Sequence, residues 1–510
     1  MNIRSMVRAA AATVALAVGC VPPSSAVPSD LDPAYAGTGR VVVDGGGSEQ
    51  VTDVALQRDG SAVVVGTGYD EHSGDGLLFR LRPDGSLDRT LGVVRLGSPG
   101  TQEVVQSVVV DSQDRIVVAG WTSLGHDVFV ERFLADGRPD GSFGIGGTGV
   151  QLVNLGGTEL ALDVAVTPTD GIVVTGSSDV NGTADLMVLR LTPQGPLDKS
   201  FHLDGWIVQK AFYNQVGRSV AVQPDGKVLV TSYEEGAPGL FVYRWGTDGA
   251  PDASFAGGRV VVDHAHTNGA RMAVADDGSI LVTGVDQGET QAVVARIRPG
   301  GLVDEGFGGK EGARFALGGA TTISAVAAVS GGRVLVTGAV SGPDHRPFVA
   351  RLDRLGRLDP GFVPRRLDGI AAATGLAVQG DGKVVVSGVV GEPSDDAVLL
   401  RLRGDAPEPT EPRPVDAPRC HGRPATIVGT DAADRISGTR GSDVVVALGG
   451  NDVVTALAGD DLVCAGSGND KVKGGAGKDR LYGERGRDRL LGGSGRDRVV
   501  GGPQRDEVRS

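Results

Sequence analysis

Aromatic side chains are scarce in this chain: 4% of its 510 residues are Phe, Trp or Tyr, and only three are Trp. With 40% hydrophobic residues and 82 Gly, the apolar material is plentiful but small, which points to closely stacked, repeated backbone. Positive charge is in deficit, 49 Lys and Arg against 63 Asp and Glu, for a formal net charge of -14. That excludes a nucleic-acid partner, which needs basic stripes. Gly and Pro, 82 and 26 residues, fall short of the ~25–30% typical of low-complexity disorder. Long apolar runs are missing too. The uncharged run near the start, Ala9 to Gly19, covers eleven residues, below the ~20 that span a bilayer, and no other stretch qualifies. There is no GxSxG nucleophile elbow and no HExxH zinc helix, so no catalytic set is assigned. At this length the chain holds more than one domain.

What is there begins with an export signal. Arg4 and Arg8 form a basic segment, Ala9 to Gly19 an apolar one, and Ser24-Ser25-Ala26 a small-residue cleavage site, predicting a signal peptide over 1–26. A second reading takes Leu16-Ala17-Val18-Gly19-Cys20 as a lipobox-like site with Cys20 lipidated, although Leu16 stands one place early. Either way the mature chain is exported, secreted or anchored, and Cys420 and Cys464 are its internal cysteines. In an oxidising compartment two cysteines most simply form one disulfide.

Residues 31–403 contain a unit repeated seven times. Its marker is Asp followed three places on by an apolar or aromatic residue: Asp32/Tyr35, Asp88/Leu91, Asp140/Phe143, Asp198/Phe201, Asp252/Phe255, Asp304/Phe307 and Asp359/Phe362. Each unit then gives four strand-like runs, in the first unit Arg40–Val43, Val51–Gln57, Ala62–Gly66 and Leu77–Arg82. Between the second and third runs stands a turn, usually Asp-Gly, as at Asp59-Gly60, Asp170-Gly171, Asp225-Gly226, Asp277-Gly278 and Asp381-Gly382, with Gly331-Gly332 once. It predicts a two-residue type I′ hairpin with positive φ at both positions. Unit two departs with Asp114-Arg115. Seven sets of four antiparallel strands fit an all-β, seven-bladed β-propeller, with a sandwich or solenoid as competitor. Every unit also carries an Arg in its fourth run: Arg80, Arg132, Arg190, Arg244, Arg296, Arg351 and Arg401. Features present in all units are read as structural, here as blade-end pairing or turn formation with the repeated Asp. The LDxSFG-like start and the turn Gln223-Pro224-Asp225-Gly226-Lys227 resemble the delta-60-type propeller repeats of secreted bacterial proteins. That resemblance implies fold and export and supplies no activity.

A Pro-rich linker, 404–419, carries Pro407, Pro409, Pro412, Pro414 and Pro418 and reads as stiff and extended. Within the last domain, 420–510, nine units of nine residues then run without a gap from Gly429 to Arg509. Position six is always Asp: Asp434, Asp443, Asp452, Asp461, Asp470, Asp479, Asp488, Asp497 and Asp506. Position eight is always aliphatic, and position four is Gly except at Ala432 and Gln504. The pattern resembles the hemolysin-type, repeats-in-toxin nonapeptide GGxGxDxUx, most closely at 474–481 and 492–499. The resemblance implies a parallel β-roll with two units per coil, so that Asp residues eighteen apart stack along one edge. Glycines permit turns whose carbonyls point inward and Asp adds a charged oxygen; Ca²⁺ prefers six to eight such ligands. The expected ligands are Asp434, Asp443, Asp452, Asp461, Asp470, Asp479, Asp488 and Asp497 with the turn residues Gly450, Gly459, Gly468 and Gly477. Position five becomes Lys478, Arg487, Arg496 and Arg505 in the last units, and these cations weaken nearby Ca²⁺ unless they point into solvent. The tighter sites are therefore expected from Asp443 to Asp479. A Cys420–Cys464 bond would clamp the N-terminal end of the roll.

The roll is neutral over 429–510, thirteen acids against thirteen bases, so the net charge lies upstream. If each unit runs up and down, one propeller face gathers twenty acids against Lys210 and Arg346. Asp70, Glu71, Glu234, Glu235, Asp286, Asp395 and Asp396 mark it as a candidate ligand face for a cationic surface polymer or protein. Solubility alone is the plain alternative. His264 and His266 with Asp263 are metal-type residues but more simply surface histidines. The leading expectation is an exported, monomeric, non-enzymatic calcium-binding protein. The alternatives are a carbohydrate-active hydrolase or lyase using paired acids on that face, and a lipid-anchored form of the same binding protein.

Overall fold

The computed structural model describes residues 29–69, 74–96, 102–210, 214–236, 239–263, 265–266, 270–342, 346–391, 395–404, 419–421, 423–430, 432–439 and 441–509. The signal segment, Cys20, Asp70, Glu71, His264 and the linker 405–418 lie outside them. The chain divides into two compact units, Met1–Ala406 and Pro407–Ser510.

The first unit is a seven-bladed propeller of antiparallel sheets. Blade one consists of Ser48–Leu56, Ala62–Tyr69, Gly74–Leu81 and Val93–Leu96, from the axis outward. Blades two to six repeat this order, the inner strand of blade five being split into Ala265–His266 and Met272–Val274. Blade seven takes Ala372–Val378, Val384–Val389 and Ala397–Leu402 from the end of the repeat region and its outer strand, Arg40–Val43, from the beginning. Arg40 pairs with Leu400 and Val43 with Ala397, so backbone hydrogen bonds close the ring. The first strand-like run of each sequence unit is thus the outer strand of the preceding blade.

The Val-rich runs are central strands buried on both sides. Ile172–Ser178 and Asp185–Leu191 are buried at every position, because each blade stacks on two neighbours. One cluster joins Val117, Val130 and Phe143 to Val164, Val174 and Leu189; another crosses the closing seam with Val54, Val64 and Phe79 against Val385 and Leu399. The few aromatics are spent here: Tyr35, Phe143, Phe201, Phe255, Phe307 and Phe362 are all buried to 1% exposure or less.

The repeated Asp and Arg residues pair in all seven blades. Arg Nε donates to Asp Oδ2 at 2.7–3.0 Å in Arg80–Asp88, Arg132–Asp140, Arg190–Asp198, Arg244–Asp252, Arg296–Asp304, Arg351–Asp359 and, across the closure, Arg401–Asp32. Six of these guanidinium groups lie over the marker aromatic, 4.3–4.9 Å from its centroid. Arg132 also donates to the Pro193 carbonyl and Arg190 to that of Thr247, tying each blade to the next.

The hairpins differ from the type I′ expectation. Gln57 N–H donates to Ser61 O and Gly60 N–H to Gln57 O, which makes a three-residue loop, and only Gly60 has positive φ, at 86°. Asp114, Asp170, Gly226, Gly278 and Gly382 hold the same single left-handed place, and only Gly331-Gly332 has positive φ at both positions. This is the turn with a G1-type bulge. Asp fits the preceding place because its carboxylate accepts an N–H two residues on, as Asp59 does from Ser61 at 2.8 Å.

The second unit is a parallel β-roll of two five-stranded sheets. One holds Ile427–Val428, Val444–Val446, Leu462–Cys464, Arg480–Tyr482 and Arg498–Val500; the other Arg435–Ser437, Val453–Ala458, Lys471–Gly477, Arg489–Gly495 and Glu507–Arg509. Partners stand eighteen residues apart, Val445↔Val463↔Leu481 and Val454↔Val472↔Leu490, and these position-eight residues form the core. Cys420 and Cys464 are bonded, with Cα atoms 5.6 Å apart, among Val444, Val446 and Leu462. The 44-residue separation corresponds to about 4 kcal/mol of lost unfolded-state entropy.

Candidate functional site

Two aspartate ladders run along the edges of the roll. Asp434, Asp452 and Asp470 each donate their N–H to the Oδ1 of the Asp eighteen residues on, at 2.8–2.9 Å, and Asp488 continues to Asp506. The other edge carries Asp443, Asp461, Asp479 and Asp497 at 2.8–3.0 Å. One carboxylate oxygen therefore holds the stack. The second, Oδ2, is buried without a hydrogen-bond partner in Asp452, Asp461, Asp470, Asp479, Asp488 and Asp497. Burial and the neighbouring carboxylates push Asp461 and Asp470 up to about 6, and raise Asp479 and Asp488.

Glycine leaves room at that oxygen in the later units, whereas Ala447, Ala456 and Ala465 hold the same place before Asp452, Asp461 and Asp470. A Cβ on Gly474 would stand 2.4 Å from Asp479 Oδ2, and one on Gly483 2.5 Å from Asp488 Oδ2. At position four the coils approach closely: a Cβ on Gly468 would lie 1.6 Å from the Gly450 carbonyl oxygen, and one on Gly477 2.1 Å from that of Gly459. Orphaned carboxylate oxygens beside stacked carbonyls, with no nitrogen or sulfur donor, fit a hard cation such as Ca²⁺.

The first two units differ. Thr430 N–H and Oγ1 donate to Asp434 Oδ2 at 2.6 and 2.9 Å, and Thr439 does the same to Asp443 at 2.6 and 3.0 Å. Thr at position two thus occupies the oxygen that Leu448, Leu457, Glu484 or a glycine leaves free in the later units. Lys478, Arg487, Arg496 and Arg505 are exposed, the condition under which they spare the ladder. Their cost lies elsewhere: Asn451 Oδ1 accepts from Asn469 N–H, and Asn469 Oδ1 from Arg487 N–H, an outer ladder that a long cation at position five does not extend.

On the propeller face several of the acids are held by turn N–H groups or by neighbouring side chains. Asp286 Oδ1 accepts from Thr290 and Gln291 N–H at 2.7 and 2.9 Å. Glu234 accepts from Gln215 Nε2 at 2.8 Å and from the Tyr243 hydroxyl, and Glu235 from Asn214 Nδ2 at 2.8 Å. Asp395, at φ 46°, gives its carbonyl to Glu49 N–H. Asp396 stands apart, because its carboxylate converges with those of Asp44 and Glu49, ligand atoms within 4.8 Å of one another. Burial, Asp396 and Asp44 together push the Glu49 carboxyl up to about 7.

The propeller axis holds residues that the sequence reading passed over. Six inner strands bulge at one equivalent place, and the residues there line a cavity of about 130 Å³. The residues after the bulges are Asp53, Ser107, Asp163, Ser219, Ala325 and Gly375, and Arg218 and Arg271 join them. Ser107 Oγ lies 2.8 Å from Asp53 Oδ2 and 2.9 Å from Asp163 Oδ1, and Ser219 Oγ 2.8 Å from Asp163 Oδ2. One hydroxyl proton serves only one carboxylate, so the bridge at Ser107 is complete when the other carboxyl carries a proton. Burial and Asp163 push Asp53 up to about 6, which suits that proton. The signal was available: Asp, Ser, Asp, Ser against Ala and Gly at one repeat position breaks the sevenfold symmetry.

These features define a class: a seven-bladed propeller joined to a parallel β-roll with two aspartate ladders. The RTX calcium-binding nonapeptide repeat matches residues 428–463, 437–472, 465–499 and 473–508. The β-propeller domain of unknown function DUF5122 matches 57–91, 169–201, 223–255 and 275–307. The chain carries both kinds of repeat, and the pair fits a calcium-binding protein. No curated protein matches. Among solved structures, a gluconolactonase from Xanthomonas campestris is similar at 17% identity and TM-score 0.36, covering 75% of this chain and 98% of the other. Sqt1 from Chaetomium thermophilum is similar at 16% and 0.41, covering 70% and 96%. PorZ from Porphyromonas gingivalis is similar at 12% and 0.41, covering 71% and 47%. No helix among the described residues is long and apolar enough to cross a membrane.

Proposed function

We propose that this chain is an exported, non-enzymatic binding protein whose roll folds on Ca²⁺ outside the cell. The six buried, partnerless Oδ2 atoms carry the reading: without a cation, stacked carboxylates meet no compensating charge. Asp452, Asp461, Asp470, Asp479, Asp488 and Asp497 hold the ion with carbonyls of the position-four glycines, and Asp434 and Asp443 lend the ladder its N-terminal support. Bound Ca²⁺ supplies the positive charge that neutralises the ladders. Because ligand binding is coupled to folding, the roll stays largely unfolded where Ca²⁺ is scarce and orders where it is abundant. Asp286 and Glu235 of the propeller face are held by internal hydrogen bonds, and the acidic field of that face suits a cationic partner. Circular dichroism of the full chain with Ca²⁺ and with chelator tests the folding claim. Added ordered β-structure in Ca²⁺ is expected; a roll equally ordered in both refutes it.

A further inference from the structure

We propose that the propeller carries its own Ca²⁺ site at the ring-closing seam, formed by Asp44, Glu49 and Asp396 and separate from the roll. Asp44 follows Arg40–Val43, the strand that the N-terminus lends to blade seven; Glu49 opens the inner strand of blade one; Asp396 precedes Ala397–Leu402 of blade seven. Their carboxylates converge within 4.8 Å. Three acids alone would be unremarkable on an acidic face. The second observation is Glu49 itself: it is 2% exposed, its Oε1 accepts from Gly45 N–H at 3.2 Å, and its Oε2 is buried with no hydrogen-bond partner. A buried carboxylate oxygen left bare is destabilising unless something positive meets it.

The propeller contains its own control. Where blade two meets blade three, Glu159 holds the place of Glu49, and Asn154 that of Asp44. There Oε2 accepts from Leu155 N–H at 3.3 Å, and Oε1 from Gly157 N–H at 3.0 Å and Ser178 Oγ at 3.2 Å. Ser178 pairs with Glu159 across the strands as Gly68 pairs with Glu49. Gly68 supplies no hydroxyl, and Asp44 brings a charge where Asn154 brings an amide. The glutamate is therefore met by three internal donors at one seam, while at the other Oε2 of Glu49, beside Asp44 and Asp396, is left to an external cation. Oxygen-only donors select a hard divalent ion of the Ca²⁺ type over a transition metal. A cation there joins the N-terminal strand to blades one and seven and resists opening of the ring.

The test is hydrogen exchange on the full chain, with Ca²⁺ and with chelator, comparing wild type with Asp44→Asn and Asp396→Asn. At a Ca²⁺ concentration ten times the dissociation constant, exchange of the Arg40–Val43 amides is expected to slow about tenfold in wild type and not in either variant. Val150–Val153, the equivalent outer strand where Asn154 replaces Asp44 and Glu159 is bonded through both oxygens, should ignore Ca²⁺ throughout. A wild-type Arg40–Val43 strand indifferent to Ca²⁺ overturns the proposal, as do variants that keep the slowing or an equal effect at Val150–Val153. Roll amides report separately: if only they fail to respond, the folding role of the roll falls and the seam site stands.

Discussion

Replacing Asp470 with Asn should reverse its effect on the roll according to whether Ca²⁺ is present. Oδ1 accepts the Asp452 N–H at 2.8 Å, and Asn retains that acceptor, so the ladder stays intact. The change falls on Oδ2, buried without a partner. In chelator the aspartate, raised from 3.8 to about 6 by burial and by Asp488 and Asp452, is charged at neutral pH at a cost of up to about 3 kcal/mol, at 1.4 kcal/mol per pH unit. Asn removes that cost. In Ca²⁺ at a hundred times the dissociation constant, a lost site forfeits about 2.7 kcal/mol. The variant should thus be more ordered than wild type in chelator and less stable in Ca²⁺. Asp434→Asn is the contrast: Oδ2 already accepts from Thr430, so the amide should lose about 1 kcal/mol in both conditions. Exchange of the roll amides, read by mass spectrometry, distinguishes the two. If Asp470→Asn weakens the roll equally with and without Ca²⁺, or Asp434→Asn shows the same reversal, the division between free and engaged carboxylates is wrong.

Asp53→Asn should stabilise the propeller above pH 7 by about 1–3 kcal/mol and leave it unchanged near pH 4. The folded carboxyl, raised to about 6 by burial and Asp163, holds its proton longer than the unfolded one. Its favourable contribution is complete below pH 4 and lost as pH rises through 6. Urea midpoints of the propeller transition at both pH values check this, and equal gains at both would refute it. Asp140→Ala should cost about 3–5 kcal/mol in urea unfolding, because Arg132, 1% exposed, is left buried and uncompensated. A loss under 1 kcal/mol would mean that the seven Arg–Asp pairs are not what locks the blades.

The repeat was legible because identical physics acts on every copy. The marker aromatics and Val runs announced blades, and Asp at position six announced the ladders, since one spacing dictates one stacking partner eighteen residues away. What period alone could not give was phase. Nothing local to Arg40–Val43 says that it pairs with Ala397–Leu402 rather than with its own unit, because a blade's outer strand meets its partner only after the ring has closed. The turn type was misread for a related reason. Asp-Gly is compatible with two loops, and the strand registers on either side, one residue longer than a type I′ hairpin needs, decide between them.

Symmetry also conceals function where copies differ by a single atom group. The glutamates of the acidic face look alike in sequence, yet three donors meet Glu159 while Oε2 of Glu49 stays bare, the Ser178 hydroxyl having no counterpart at Gly68. In the same way Thr430 and Thr439 close two carboxylates that residues without a hydroxyl, such as Leu448 and Gly466, leave open in later coils. Both cases turn on a donor supplied by a neighbouring strand or turn, which no count of acids reveals. In a repeat protein, then, the residues that hold the fold are those that recur, and a ligand is sought where a recurring acid has lost the donor its counterparts keep. By that rule the axis of the propeller, where Asp53 and Asp163 face Ser107 and Ser219 while the equivalent places in later blades are Ala325 and Gly375, is the next place at which the seven copies cease to be equivalent.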